Sequence, residues 1–130
     1  MGRLFTLKNL MTFSACVAVP YGVACMFFPV EWMKLMGGLE VTAQGVFVAR
    51  MYGGQVFGFG ATSWLARAAP DSPAKRALIR GFVVVDAASL ALAIYAQAAG
   101  VVGPEGLIDV VAFTFFVLSF GWFAAYPERA

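Results

Sequence analysis

The sequence contains no histidine and few charged side chains. Its 130 residues include nine Lys or Arg and seven Asp or Glu, so charged residues make up only 12%, against roughly 25% in ordinary soluble domains. Without histidine, histidine-ligated haem, histidine-based metal sites and histidine general bases are excluded. A chain this poor in charge cannot cover itself with polar surface, so the composition predicts a membrane protein.

Cysteine and lysine are few and poorly placed for chemistry. Cys16 and Cys25 stand nine residues apart in one apolar segment, which at about 100° per residue puts them on opposite faces of a helix. They are therefore expected to form neither a CxxC redox pair nor a disulfide within that helix, and to pack as small apolar side chains. No lysine lies within an apolar segment, so no buried Schiff-base cofactor is expected.

The sequence shows no catalytic constellation. No nucleophile has a base beside it, so no catalytic residue, metal ligand or cofactor is predicted. An enzyme is the least supported class. A few polar side chains could nevertheless line a pocket for a lipid or a quinone: Asp86, Arg50, Gln55, Thr62, Ser63 and Ser89.

What the sequence does contain is four long apolar segments. Hydrophobic residues make up 62% of the chain, and residues 1–130 leave no segment for a separate soluble domain. The segments predict helices over about 10–30, 43–66, 73–99 and 104–126, with Ser72 as the N-cap of the third helix. The expected fold is therefore an all-α integral membrane four-helix bundle forming a single transmembrane domain.

The basic residues are distributed unevenly over the predicted loops. With four spans, both termini and the second connection lie on one side, which carries seven basic residues: Arg3, Lys8, Arg67, Lys75, Arg76, Arg80 and Arg129. The other side has only Lys34 and Arg50. Since basic residues accumulate in cytoplasmic loops, both termini are expected in the cytoplasm of a bacterial inner membrane. The net charge of +2 is then a topology signal and does not indicate nucleic-acid binding.

The second helix carries a stripe of small residues. Gly54, Gly58 and Thr62 are spaced four apart, which places them on one face where a neighbouring backbone can approach closely. We expect this face to mark packing within the bundle. The phenylalanines of the fourth helix cover several of its faces and are expected to contact lipid: Phe113, Phe115, Phe116 and Phe120.

Two polar residues are expected at the same membrane depth. Asp86 lies about eight residues into the membrane part of the third helix, roughly 12 Å from its cytoplasmic edge. Gln55, on the antiparallel second helix, falls at nearly the same level, so a hydrogen bond between the two is geometrically allowed. Because burying such groups is expensive, three roles are open for Asp86. These are an interhelical hydrogen bond, a proton-relay or cation-coupling carboxyl, and a contact with a partner subunit.

Arg50 is the one arginine expected inside the predicted second helix. Its side chain should lean toward the outer surface and reach the headgroup layer. Asp109 or Glu40 is expected to be its ion-pair partner. A contact with a lipid headgroup or an anionic ligand is the alternative.

The segment Ala49 to Gly54 with Gly58 and Gly60 resembles a motif of the DoxX-like proteins. These are short bacterial membrane proteins with four helices, a basic second connection, and an arginine in the outer part of one helix followed by glycines. The resemblance implies the same architecture. A few such proteins are similar to membrane subunits of quinone-linked oxidoreductases, which would imply a quinone-linked role here.

These observations lead to one functional prediction and two alternatives. The prediction is a non-catalytic accessory subunit that packs its helices against a larger membrane complex. The alternatives are a small homo-oligomeric, proton-coupled transporter using Asp86, and a quinone- or lipid-binding subunit of an oxidoreductase. The expected partners are the lipid bilayer and other membrane subunits or further copies of the chain, with no nucleic acid and no cofactor.

Overall fold

The computed structural model describes residues 5–38 and 40–126, and this part of the chain is helical almost throughout. The helices are α1 (Leu7–Phe27), the short α2 (Pro29–Leu35), α3 (Ala43–Ala66), α4 (Pro73–Ala98) and α5 (Leu107–Ala125). A 3-10 turn over Pro104–Gly106 leads directly into α5. α1 begins and ends a few residues earlier than the apolar run predicted, and α2 is a short helix between the first two long ones.

Three of the long helices begin at a hydroxyl side chain. Thr6 accepts a hydrogen bond from the Asn9 amide at 3.2 Å and so starts α1. Thr42 does the same for α3, accepting from the Gly45 amide at 3.0 Å. The N-cap predicted at Ser72 is present, with its hydroxyl accepting from the Lys75 amide at 3.2 Å. Each cap satisfies an N–H group that the first turn of a helix leaves without an intrahelical partner.

The four long helices form two closely packed pairs, α1 with α3 and α4 with α5. Glycines bring the backbones of α1 and α3 together. A Cβ added at Gly22 would lie 2.6 Å from the Phe57 amide nitrogen, and one added at Gly53 would lie 2.7 Å from the Cβ of Cys25. Gly60 is equally constrained by Val19. Small residues therefore set the approach of this pair, as is usual between membrane helices.

The glycines that make this contact are not the predicted ones. A Cβ at Gly58 would meet open space, one at Gly54 would reach only the sulfur of Met26 at 4.0 Å, and Thr62 is exposed. The expectation that these three residues pack within the bundle is therefore wrong. The packed face of α3 instead carries Gly53 and Gly60, seven residues apart. This spacing matches two turns of a helix, so it marks one face as well as a spacing of four does.

The hydrophobic core lies at the end of the bundle where α1 and α4 begin and α5 ends. It is formed by seven buried side chains from three helices: Leu7, Leu10, Met11, Ile79, Phe82, Phe120 and Phe123. The Phe82 ring connects the pairs, with centroids 4.3 Å from Phe59 of α3 and 5.3 Å from Phe120 of α5. Phe120 is fully buried. The expectation that it contacts lipid is wrong, because it faces the junction of the two pairs.

The opposite end of the bundle is closed by two loops. The Gly103 amide donates to the Gly37 carbonyl at 2.8 Å, and Gly38 forms an antiparallel bridge with Val102. The backbone of Gly37 has φ +81°, a conformation that residues other than glycine rarely adopt. The loop between α2 and α3 is thus bound to the loop between α4 and α5.

The connection between α3 and α4 contains an ion pair. Asp71 accepts two hydrogen bonds from Arg76 Nε, at 3.0 and 3.2 Å, and contacts the terminal guanidinium nitrogen as well. These hydrogen bonds hold the pKa of the Asp71 carboxyl below its ordinary value of 3.8. Nearby, the Arg67 guanidinium lies 3.3 Å from the centre of the Trp64 ring at the end of α3.

Three helical segments are long and apolar enough to cross a membrane. They are Leu7–Phe27, Pro73–Ala98 and Pro104–Ala125, which indicates a membrane environment with lipid. α3 has 24 residues, or about 36 Å at ~1.5 Å per residue, but it is not among the three. Arg50 and Gln55 lie well inside it, so it contains no long stretch as apolar as those of the other three helices.

Candidate functional site

A cavity of about 140 Å³ lies between the two helix pairs. All four long helices contribute to its wall: Ser14, Val17, Ala18 and Tyr21 from α1; Tyr52, Gln55, Val56 and Phe59 from α3; Val85, Asp86 and Ser89 from α4; Asp109, Ala112, Phe113 and Phe116 from α5. Two of these side chains, Phe59 and Phe116, also pack against the hydrophobic core, so the cavity adjoins the core.

Asp86 is the buried acidic group of this cavity. Only 4% of the residue is exposed, and its Oδ2 atom has no hydrogen-bond partner. The hydroxyl of Ser14, which is 1% exposed and lies on α1, also has none. Buried polar atoms are nearly always hydrogen-bonded in folded proteins. Two such atoms in the wall of one cavity therefore mark it as a place where polar atoms from outside the chain are needed.

Asp109 is the second carboxyl in the wall. It lies in the first turn of α5, where a negative side chain complements the positive end of the helix dipole. Two tyrosines, Tyr21 and Tyr52, line the same cavity, with ring centroids 6.0 Å apart in an edge-to-face arrangement. The Tyr21 ring also packs edge to face on Trp32 of α2, at 4.7 Å.

The structure brings Gln55 and Asp86 to one cavity but does not join them. No hydrogen bond links the two among the described residues, and Gln55 is exposed. Gln55 is thus placed at an edge of the cavity while Asp86 lies inside it. Val85, 52% exposed, also lines the cavity, so the cavity wall reaches the surface on both α3 and α4.

Arg50 does not meet either of its expected partners. It is exposed, and the only ion pair among residues 5–38 and 40–126 joins Arg76 to Asp71. Asp109 faces the cavity instead, and Glu40 is exposed before α3 begins. The expected pair is not formed because Asp109 points into the bundle while Arg50 points out of it.

Three polar residues of the cavity wall were not singled out from the sequence. Ser14 and Tyr21 are seven residues apart on α1, so they share one face with Ala18 between them. Tyr52 follows Arg50 closely and lies one turn before Val56. The seven-residue spacing on α1 indicates that Ser14 and Tyr21 share a face. In an apolar helix, however, a serine or a tyrosine indicates a functional site less strongly than a charged residue does.

The charge of the cavity wall is of one sign. Two carboxyls, three hydroxyl-bearing side chains beside Ser14 and one amide line it, and no lysine or arginine does. Among the described residues, no group of three or more metal-ligating side chains is present. The rest of the wall is aliphatic or aromatic. Such a cavity suits a small ligand with a positive or hydrogen-bonding group and an apolar body.

Fold and cavity together define an all-helical protein with membrane-length helices and an acidic internal cavity. No family model, curated protein or solved structure matches the chain.

Proposed function

We propose that the protein is a multi-pass protein of the bacterial inner membrane, with four spans and both termini in the cytoplasm. The three long apolar helices support this placement. α3 is long enough to be the fourth span, since a helix of about 20 residues crosses the hydrocarbon core, and it packs closely along α1. The basic connection around Lys75 and Arg76 supports the orientation. The resemblance to DoxX-like proteins is consistent with this architecture.

Within this bundle we propose a small proton-coupled transporter with Asp86 as the coupling carboxyl. The single observation that carries the proposal is the buried Asp86 Oδ2 without a hydrogen-bond partner in a cavity shared by four helices. A carboxyl in such surroundings is stable when protonated or when a ligand supplies its partner. Binding of a proton and binding of a ligand are thereby alternatives at one group, so that binding of the ligand releases the proton.

The other titratable groups around Asp86 cannot neutralise its charge. The titratable side chains that line the cavity are Tyr21 from α1, Tyr52 from α3 and Asp109 from α5. None of these is a cation, so no resident positive charge neutralises Asp86. Only a proton or an incoming ligand can do so.

The way the helix pairs are joined also supports transport. The core holds them together at one end, and the bound loops at Gly37 and Gly103 hold them at the other. The cavity lies between these two contacts and reaches the surface beside Gln55 and Val85. A carrier exposes its site to one side of the membrane at a time, and release of either contact alone would open the cavity toward one end of the bundle.

Proton movement in proteoliposomes tests this function. We expect one of three solutes of similar size, tetramethylammonium, tert-butanol or trimethylacetate, to change the internal pH reported by an entrapped dye, with protein-free liposomes as the blank. Asp86→Asn should abolish the change without lowering the melting temperature. Asp71→Asn, a change at an exposed loop carboxyl, should leave it intact. Equal proton movement with Asp86→Asn, or none with any solute, would contradict the proposal.

A second candidate function is the accessory subunit. One specific observation favours it, namely that Gly54, Gly58 and Thr62 lie on an exposed face of α3 where added side chains would meet almost nothing. A helix of another subunit could approach closely there. The mass of the particle extracted gently from native membranes decides between the two, because a stoichiometric large partner would favour the subunit and a lone bundle or homo-oligomer would favour the transporter.

The cavity gives less support to a quinone- or lipid-binding subunit. Its volume of about 140 Å³ is well below the roughly 300–1,000 Å³ of pockets that enclose drug-sized ligands. A ligand that fills a pocket of that size is several times too large for this cavity. The cavity is better matched to a much smaller molecule.

A further inference from the structure

The size of the cavity limits its ligand. A dry cavity of about 150 Å³ is large enough to hold one benzene molecule, and this one is about 140 Å³. The ligand, or the part of it that enters, therefore has on the order of five to seven non-hydrogen atoms. Metabolites with several charged groups and large ring systems do not fit.

The charge of the wall selects among molecules of this size. The side chains of Asp86 and Asp109 come from adjacent helices α4 and α5, and both line the cavity. An anion would be repelled by both. A neutral molecule can fit beside Asp86 only while the carboxyl keeps its proton, because a buried carboxylate without a partner is costly. A cation satisfies the carboxyls directly.

The apolar part of the wall separates organic from inorganic cations. Five aromatic rings line the cavity, from Tyr21, Tyr52, Phe59, Phe113 and Phe116. Calcium takes six to eight oxygen ligands and magnesium keeps several waters, which this wall does not provide. An organic ammonium group is instead attracted to the faces of aromatic rings and carries an apolar body that the remaining wall can cover.

We propose that the ligand of this cavity is a small organic cation of the alkylammonium class, held between Asp86 and Asp109 with its apolar groups against the aromatic rings. The proposal rests on the proposed function, since it names the substrate class of the same site. Asp109 can contact this ligand because it lines the cavity and does not form the expected ion pair with Arg50. The unpartnered hydroxyl of Ser14 lies on the opposite wall and bounds the polar part of the site.

Binding of three probes of similar shape tests the charge requirement. Tetramethylammonium carries one positive charge, tert-butanol is neutral, and trimethylacetate carries one negative charge. Their affinities are to be measured by calorimetry on the purified protein in lipid nanodiscs. We expect tetramethylammonium to bind at least about tenfold more tightly than tert-butanol, because its charge is attracted by the two carboxyls and by the faces of the aromatic rings. Trimethylacetate should not bind.

Variants then locate the binding. Asp86→Asn and Asp109→Asn should each weaken tetramethylammonium binding by about tenfold or more. Ala112→Phe and Ser89→Leu fill the cavity and should abolish it. Val111→Phe adds a ring beside Ala112 on α5, at a residue that is 69% exposed, and should have no effect. The melting temperature of each variant shows whether it is folded.

The outcomes separate this inference from the proposed function. If tert-butanol binds as tightly as tetramethylammonium and the filling variants abolish both, the cavity is a ligand site but the cation inference is wrong. If tetramethylammonium binds equally well after the two Asp→Asn changes, the inference is also overturned. If protons move with a neutral or anionic solute in proteoliposomes, the transporter stands and its substrate is not a cation.

Discussion

Glycine residues in α1 and α3 differ sharply in what a side chain would meet. At Gly22 an added Cβ would collide with the backbone of α3, at 2.6 Å from the Phe57 amide nitrogen and 2.7 Å from the Gly53 carbonyl oxygen. Backbone atoms cannot move aside as the end of a flexible side chain can. At Gly58 the added atom would meet nothing within 4 Å.

This contrast gives a prediction at the scale of one methyl group. Gly22→Ala should lower the free energy of unfolding by about 1–3 kcal/mol, the usual cost of overpacking. Gly58→Ala should change it by less than about 1 kcal/mol. Unfolding by a rising fraction of denaturing detergent, followed by circular dichroism, measures both. Equal losses for the two variants would contradict the contact between α1 and α3.

The position of Asp86 along α4 was predictable from sequence, but its surroundings were not. Counting from the helix start at Ser72 and Pro73 places the residue about half-way along the helix, since the rise per residue is constant. Whether Gln55 reaches it depends on how the two helices rotate about their axes. That rotation is set by Gly22, Gly53 and Gly60, which hold α3 against α1 and leave Gln55 at the edge of the cavity.

Among the helices, α3 differs from the others in composition. It is 24 residues long, yet it is not one of the segments apolar enough to be recognised as a membrane span. Its glycines and polar residues suit contact with other helices more than contact with lipid. We expect its place in the membrane to depend on its neighbour α1.

Insertion of single helices tests this dependence. In microsomes, with glycosylation sites reporting translocation, α3 alone should insert less efficiently than α4 alone. Arg50→Leu should improve the apparent insertion free energy of α3 by up to about 3 kcal/mol. Arg67→Leu, at the C-cap of the helix, should change it less because that position is at the membrane edge. Equal insertion of α3 and α4 would contradict the expectation.

The bounds of α3 and the start of α4 could be read from sequence, whereas α1 begins and ends three residues earlier than its apolar run predicted. The cap at Ser72 and the proline that follows it depend on local chemistry, because they act within a few residues of the helix start. The packed faces could not be read in the same way. α3 contains glycines at several spacings, and which of them make the contact depends on α1, where Gly22 meets Gly53 and Val19 meets Gly60.

For the whole molecule, the distribution of basic residues predicts which end of the bundle faces the cytoplasm. The loop between α3 and α4 should be inside and the loop between α4 and α5 outside. In a variant without Cys16 and Cys25, we expect Val101→Cys to react with a membrane-impermeant maleimide in intact cells. Ala69→Cys should react only after the cells are opened. Both positions are exposed, so the reverse pattern would overturn the orientation.

The division into two helix pairs has a consequence for how the protein is made. α1 and α3 are synthesised before α4, and their contact at Gly22 and Gly53 needs no residue from the second pair. Both acidic residues of the cavity, Asp86 and Asp109, belong to the pair that follows. Chains fold progressively during synthesis. The nascent first half can therefore settle in the bilayer with no carboxyl on its cavity face, and the acidic site comes into existence only when the second half docks.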